Sequence, residues 1–214
     1  MLVRTWNLFH GNASPPERRA FLRQMLELIT QDRPDVVCLQ ELPVWALRHL
    51  ERWSGMHALG AIARRPLLPF GARGVTALHH GLVRSGVTGE ADAILTRNPA
   101  QKAAVHVVGE VRLRRIALTA DVDGVRVVNF HIDGDWPQFD RVVALTRERS
   151  ILAGDANLVS AGADGFSPPL AGSIDQILVR GLTLCNGPSA WPLERRVVEG
   201  RVLSDHAPVE AVVE

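Results

Sequence analysis

Apolar and polar positions along this chain follow two rhythms, one of period two and one of three to four residues. Residues 2–8 read as a strand, Leu-Val-Arg-Thr-Trp-Asn-Leu, that meets a polar residue at Asn7. Pro15 and Pro16 then open a helix. Phe21, Leu22, Met25, Leu26 and Ile29 recur at helical spacing on one face, and Pro34 ends the segment. Residues 35–40 compress Val-Val-Cys-Leu between a turn and an acid, the pattern of a strand covered on both faces. A second helix is predicted over 44–53 and a strand over 57–63. Between 64 and 90, Pro66, Pro69, Gly71, Gly74, Gly81, Gly86 and Gly89 break any period, so this stretch reads as a long loop with one helical turn around 77–83. Strands follow at 93–96, 103–108, 111–122 and 125–132, and Asp123-Gly124 supplies a hairpin turn between the last two. A short helix fits within 139–149, and strands at 151–153, 174–179 and 209–213 complete the set.

Early alternation of strands and helices, followed by consecutive strands and hairpins, predicts an α/β protein of two packed sheets with helices outside them. The 214 residues contain no Ser/Gly-rich or Pro-rich linker, which makes residues 1–214 a single domain with room for a large core. No repeat of solenoid period is present. The pattern does not fix an oligomeric state.

Charge and cysteine usage narrow the function classes. The formal net charge is +1, Lys102 is the only lysine, and no block of like charges occurs, so nothing supports a strong non-specific nucleic-acid footprint. Cys38 lies in an apolar run and Cys185 has no partner spacing. This predicts two buried free thiols in a reducing compartment and excludes a zinc site built on cysteine. Leu2-Val3-Arg4-Thr5 is no apolar signal core and no window approaches a membrane span, so the expectation is a cytoplasmic protein.

Five polar islands sit where predicted central strands end: Asn7, Glu41 in Gln40-Glu41, Asp155 and Asn157 in Gly154-Asp155-Ala156-Asn157, Asp175, and the Ser204-Asp205-His206 corner. Taken alone, Asn7 reads as a turn-former, Glu41 as a helix-capping acid, and Asp155 with Asn157 as a solvent-facing turn. Asp175 is harder to dismiss. A carboxylate inside Ile174-Asp175-Gln176-Ile177 needs a partner, and His206 is a fitting one. Together the islands offer hard oxygen ligands plus one imidazole, a set suited to magnesium or manganese rather than zinc or copper. An acid beside a histidine at such a corner suits water activation and proton transfer.

Asn7, Gln40-Glu41, Ala93-Ile94-Leu95-Thr96-Arg97, Asn129-Phe130-His131, Gly154-Asp155-Ala156-Asn157, Ser173-Ile174-Asp175 and Ser204-Asp205-His206, in this order, resemble the motifs of the endonuclease/exonuclease/phosphatase family. The resemblance spans almost the whole chain. It implies a four-layered α/β/β/α sandwich, two packed mixed sheets flanked by helices, and metal-dependent hydrolysis of a phosphate ester. Carried over, Glu41 binds Mg2+ or Mn2+ with Asn7 nearby, and Asp205 completes the metal shell. Asp155 and Asn157 position the attacking water and the phosphate. His206, oriented by Asp175, is a base or a charged donor, and His131 assists the phosphate or the leaving group. Ala91-Asp92 stands where the family usually has Gly-Asn, which leaves Asp92 or Glu90 to orient His131. The chain has no tyrosine, whereas the abasic-site branch commonly uses one, so the resemblance is to the deoxyribonuclease and phosphodiesterase branches.

The implied substrate is a nucleic acid or nucleotide first, a small phosphodiester or phospholipid headgroup second. A catalytically inert phosphate-ligand binder is the rival from another class. A nucleotide-binding α/β domain lacks its Gly-x-Gly-x-x-Gly or Gly-x-x-x-x-Gly-Lys loop here. His49, His57 and His106 read as structural or surface residues. His79-His80, with Arg73 and Arg84, reads as an ordinary solvated loop ahead of a substrate-lining one, and Trp136 as core ahead of a residue that stacks on a base or a ring.

Overall fold

The computed structural model describes residues 1–67, 74, 86–110 and 113–214. The turn expected at 77–83, with Arg73, His79, His80 and Arg84, lies outside the described residues. In chain order the elements are β1 (Leu2–Asn7), β2 (Ala13–Ser14), α1 (Leu22–Ile29), β3 (Val36–Leu42), a 3-10 helix (Val44–His49), α2 (Leu50–Ser54), β4 (His57–Arg64) and β5 (Glu90–Thr96). They continue as β6 (Gln101–Gly109), β7 (Arg115–Val122), β8 (Val125–His131), α3 (Trp136–Val143), β9 (Ser150–Asp155) and β10 (Asp175–Arg180). The chain closes with β11 (Leu184–Ala190), β12 (Val197–Val198), β13 (Arg201–Leu203) and β14 (Val209–Val213).

Two mixed sheets form. The first has six strands in the order β11-β14-β1-β3-β5-β4, the second five in the order β10-β9-β8-β7-β6, and β12-β13-β2 make a small third sheet. Each large sheet has one parallel pair, β1 with β3 and β8 with β9, and antiparallel neighbours elsewhere.

Strand parity builds the layers, because successive side chains point to opposite faces. Val3, Val36, Cys38, Ile94, Ile116, Leu118, Val127, Ile151, Ala153 and Ile177 form one core between the sheets. Their strand neighbours Trp6, Val37, Leu39 and Leu95 face α1 and α2, where Phe21, Leu22, Met25, Leu26 and Ile29 cover them. Ala117, Val128, Phe130, Leu152 and Leu178 face α3 through Phe139 and Val142. The result is the four-layered α/β/β/α sandwich.

The same parity places the site. Asn7, Gln40, Asp92, Asn129, His131, Asp155 and Asp175 all lie two or four residues along a strand from a residue of the inter-sheet core, and so point between the sheets. All are buried. The gap between the sheets is therefore apolar along most of its length and polar at one end. Asn129 fastens the sheets there. Its Nδ2 donates to Leu39 O at 3.0 Å and Ala93 O at 2.9 Å, and its Oδ1 accepts from Gln40 Nε2 at 2.7 Å.

Several expectations are corrected. Residues 44–53 begin as a 3-10 helix and turn α-helical only at Leu50, following Pro43 in an extended conformation. α3 starts at Trp136 rather than within 139–149, with a proline in its first turn. β7 is described from Arg115, and residues 111–112 lie outside the described residues. β11 escapes the pattern because Asn186, Gly187 and Pro188 interrupt it and its register shifts there. Cys38 is buried but Cys185 is exposed, and both are free.

Candidate active site

Glu41 near the end of β3, Asn157 beyond β9 and Ser204 just beyond β13 hold positive φ angles of 53°, 48° and 59°, and His10 does so at 52°. Non-glycine residues in this region carry strain of about 1–3 kcal/mol each, which the surroundings must over-determine. Two glycines allow the close approaches needed. A Cβ on Gly154 would fall 2.0 Å from Phe130 O, so glycine lets β9 lie tight against β8 where His131 pairs with Asp155. Gly134, at φ 73°, packs where a Cβ would meet Asn157 O at 2.7 Å.

Asp155 is the junction. Its Oδ2 accepts from Asn7 Nδ2 at 3.0 Å across the two sheets, and lies 3.7 Å from His131 Nε2 and 3.9 Å from His206 Nε2. Its Oδ1 accepts from the Asn157 backbone N–H at 2.9 Å, while Asn157 Nδ2 donates to Ile132 O at 2.9 Å. The Ser-Asp-His corner is drawn in by Ser204, whose hydroxyl donates to Asn7 O at 2.7 Å and accepts from His206 N at 3.1 Å. Trp6 Nε1 donates to His206 O at 3.0 Å.

Each histidine has an acidic partner at Nδ1. His206 Nδ1 lies 2.9 Å from Asp175 Oδ2, and His131 Nδ1 lies 3.1 Å from Glu90 Oε1. Glu90, rather than Asp92, is thus the acid beside His131. Arg115 fixes Glu90 in turn, donating to it at 2.6 Å and to Asp133 Oδ1 at 2.7 Å. Burial alone would lower both imidazoles, but the hydrogen bonds with Glu90 and Asp175 and the Asp155 charge raise each to about 9. Burial would raise Glu90, yet the His131 hydrogen bond and charge and the Arg115 charge hold it at about 2. Burial raises Asp175 despite His206, and raises Asp92 to about 7.

The donor set fits a hard divalent cation. Asp155, Asp175 and His206 each bring a ligand atom to within 4.8 Å of the others. Asp175 Oδ1 is buried with no hydrogen-bond partner among the described residues. Burial raises the Glu41 carboxyl, and the nearby Glu90 and Asp155 charges push the same way, a tension that a cation would relieve. Glu41 Oε1 lies 3.7 Å from His131 Nε2, and Oε2 lies 3.7 Å from His10 Nε2. Asn7, Glu41, His131, Asp155, Asn157, Asp175 and His206 meet at one end of the sandwich. Asp205 is exposed, with its Oδ1 3.4 Å from Ser204 Oγ.

Residues 5–206 match the model of the Endonuclease/Exonuclease/phosphatase family. The chain belongs to this family. No curated protein matches it. Among solved structures it is similar to an endonuclease/exonuclease/phosphatase from Beutenbergia cavernae, at 18% identity and a TM-score of 0.72, covering 100% of this chain and 71% of that one. It is also similar to the 3′ phosphatase NExo from Neisseria bound to a product DNA hairpin, at 20% identity and a TM-score of 0.57, covering 100% and 99%. A third similar structure is a mannosyl-6-phosphatase from Bacteroides thetaiotaomicron, at 16% identity and a TM-score of 0.63, covering 100% and 99%. At these identities the likeness is one of fold.

Some residues of this family member's site gave little sign in the sequence. Gln40 and Asn129 fall within motifs that carry the family resemblance, but as amides inside apolar runs only their strand parity with the inward residues marks where they point. His10 is buried beside Glu41, at a position whose only mark is the following glycine. Arg115 opens an apolar strand, and nothing local announces its carboxylate partners.

Proposed function

We propose that this protein is a divalent-metal-dependent phosphodiesterase acting on a nucleic acid or nucleotide. The observation that carries the reading is the position of Asp155 Oδ2 between Asn7, His131 and His206, side chains supplied by both sheets. Glu41, with Asn7 beside it, would hold the cation, and Asp205 would act from the rim through water. Mg2+ suits these hard oxygens, and Mn2+ is the natural substitute. When bound, the cation supplies Lewis-acid neutralisation of the phosphate oxygens.

The protein's own groups divide the remaining work. His206 and His131, each raised to about 9, carry protons at neutral pH and so act as charged donors. His206 donates from Nε2 to a non-bridging phosphate oxygen while its Nδ1–H stays on Asp175. His131 donates from Nε2 to the departing oxygen, with its Nδ1–H on Glu90. The Asp155 carboxylate accepts the proton of the attacking water, and Asn157 holds that carboxylate and lines the phosphate's path. Donors already aimed at the developing charge need no reorganisation during the reaction.

Hydrolysis of bis(p-nitrophenyl) phosphate and of a single-stranded DNA oligonucleotide, with Mg2+ or Mn2+ and with chelator, tests the reading. Turnover that chelator abolishes is expected, with a drop of roughly a hundredfold or more in His206→Ala and Asp155→Ala. Near-normal rates in folded variants would overturn the residue assignments. No turnover of either substrate with either metal would favour an inert phosphate binder.

A further inference from the structure

Trp136 was expected in the core, yet 51% of it is exposed, whereas Trp6 is fully buried and Trp191 is 4% exposed. It opens α3, five residues after His131. Helical side chains lean toward the N-terminus of their helix, and the N-terminus of α3 is its site end. The approach to it is braced. Asn157 Nδ2 donates to Ile132 O, Arg115 binds Asp133, Gln138 Oε1 accepts from Asp133 N at 3.0 Å, and Gly134 packs on Asn157 O. Phe139 meets the indole edge-on, with ring centroids 5.8 Å apart at 84°, and leaves the rest of the ring to solvent.

The half-exposed indole stands two residues from Gly134, which packs on Asn157, and so lies at the rim of the polar end of the sandwich. The residue before Trp136, Asp135, is an exposed acid, and Asp133 two residues further back is neutralised by Arg115. Such a rim disfavours a second phosphate and favours a neutral planar ring with amino groups that a carboxylate can accept from. Nucleobases have that chemistry. We infer that Trp136 is the stacking platform for a nucleobase of the substrate, adjoining the scissile phosphate, with Asp135 facing the base edge. The inference rests on the phosphodiesterase reading above and narrows its substrate to a base-bearing diester.

The test compares wild type, Trp136→Ala and Trp136→Phe on a thymidine-adenosine dinucleotide, on the same dinucleotide with tetrahydrofuran in place of both bases, and on a methyl mannoside 6-phosphodiester. Base stacking on an aromatic side chain sustains about a ten- to hundredfold difference in binding. Trp136→Ala should therefore raise KM on the base-bearing dinucleotide by about tenfold or more. It should leave the tetrahydrofuran analogue unchanged, and Trp136→Phe should restore most of the loss. Equal effects on both dinucleotides, or an effect confined to the mannoside, would overturn the base assignment while leaving the phosphodiesterase reading intact. A second readout needs no turnover. The dinucleotide in chelator should quench a part of the indole fluorescence that is missing from Trp136→Phe, and identical quenching in both proteins would also overturn it. Loss of turnover on every substrate in wild type would instead count against the phosphodiesterase reading.

Discussion

Asn129→Ala probes the fastening that brings the two sheets together at their polar end. The side chain is fully buried and makes three hydrogen bonds: to Leu39 O, to Ala93 O, and from Gln40 Nε2. Gln40 keeps its second bond, to Thr5 Oγ1 at 3.0 Å, so it loses only part of its satisfaction. A buried polar group stripped of its partner costs about 1–3 kcal/mol. With two carbonyls losing the amide and one donor half-satisfied, the expected destabilisation is roughly 3–5 kcal/mol, a large share of the 5–15 kcal/mol typical of a domain. Equilibrium urea unfolding measures it as a lower midpoint at unchanged slope. Paired with Gln40→Ala in a double-mutant cycle, the coupling should be about 1 kcal/mol, the value of one buried hydrogen bond. A loss below about 1 kcal/mol would mean that the amide is not a clamp and that the sheets are held by the apolar core alone.

Three further outcomes follow from the charges. In metal-free Asp175→Asn, the His206 imidazole should titrate well below about 9, toward its ordinary 6.5, because Asp175 supplies its leading raising interactions; an NMR titration unchanged from wild type would contradict the pairing. The stability that His131 and His206 contribute is complete below 6.5 and is lost as pH rises through about 9, while that of Glu90 is complete above 4.5 and is lost as pH falls through about 2. The chelated protein should therefore melt highest between those limits, and Asp92→Asn, by removing a carboxyl that burial raises to about 7, should lift the alkaline side; a melting temperature flat to pH 10 would contradict both. Glu41→Gln should raise the melting temperature of the chelated protein by easing repulsion with Glu90 and Asp155, and should erase most of the stabilisation that saturating Mn2+ gives wild type, about 3 kcal/mol at a hundredfold excess over Kd. Equal Mn2+ stabilisation in both proteins would remove Glu41 from the metal site.

The two-sheet architecture was legible because period-two runs, proline boundaries and the Asp123-Gly124 turn carry their own physics. The polar strand ends were equally plain, since an acid after Val-Val-Cys-Leu or inside Ile-Asp-Gln-Ile contradicts burial unless it is used. Tertiary facts were not legible. Which acid meets His131 depends on β5 lying across from β7 and β8, so Glu90 and Asp92 look alike in one dimension. Arg115 likewise has its meaning only through Glu90 and Asp133. The prior for tryptophan misled at Trp136, because hydrophobicity says nothing about whether a helix start faces its sheet or the rim of a cleft. β11 was missed because its glycine and proline are tolerated at a sheet edge, where a missing N–H has no neighbour to disappoint.

A crystal grown with Mn2+ and a phosphorothioate dinucleotide measures the central claim most directly, through the manganese anomalous signal and the position of phosphorus. Manganese should lie on the Glu41 carboxylate, between Asn7 and Asp155, with the phosphate within hydrogen-bond reach of Nε2 of both His131 and His206. Manganese or phosphate seated away from this polar end of the sandwich, with these residues unliganded, would contradict the account.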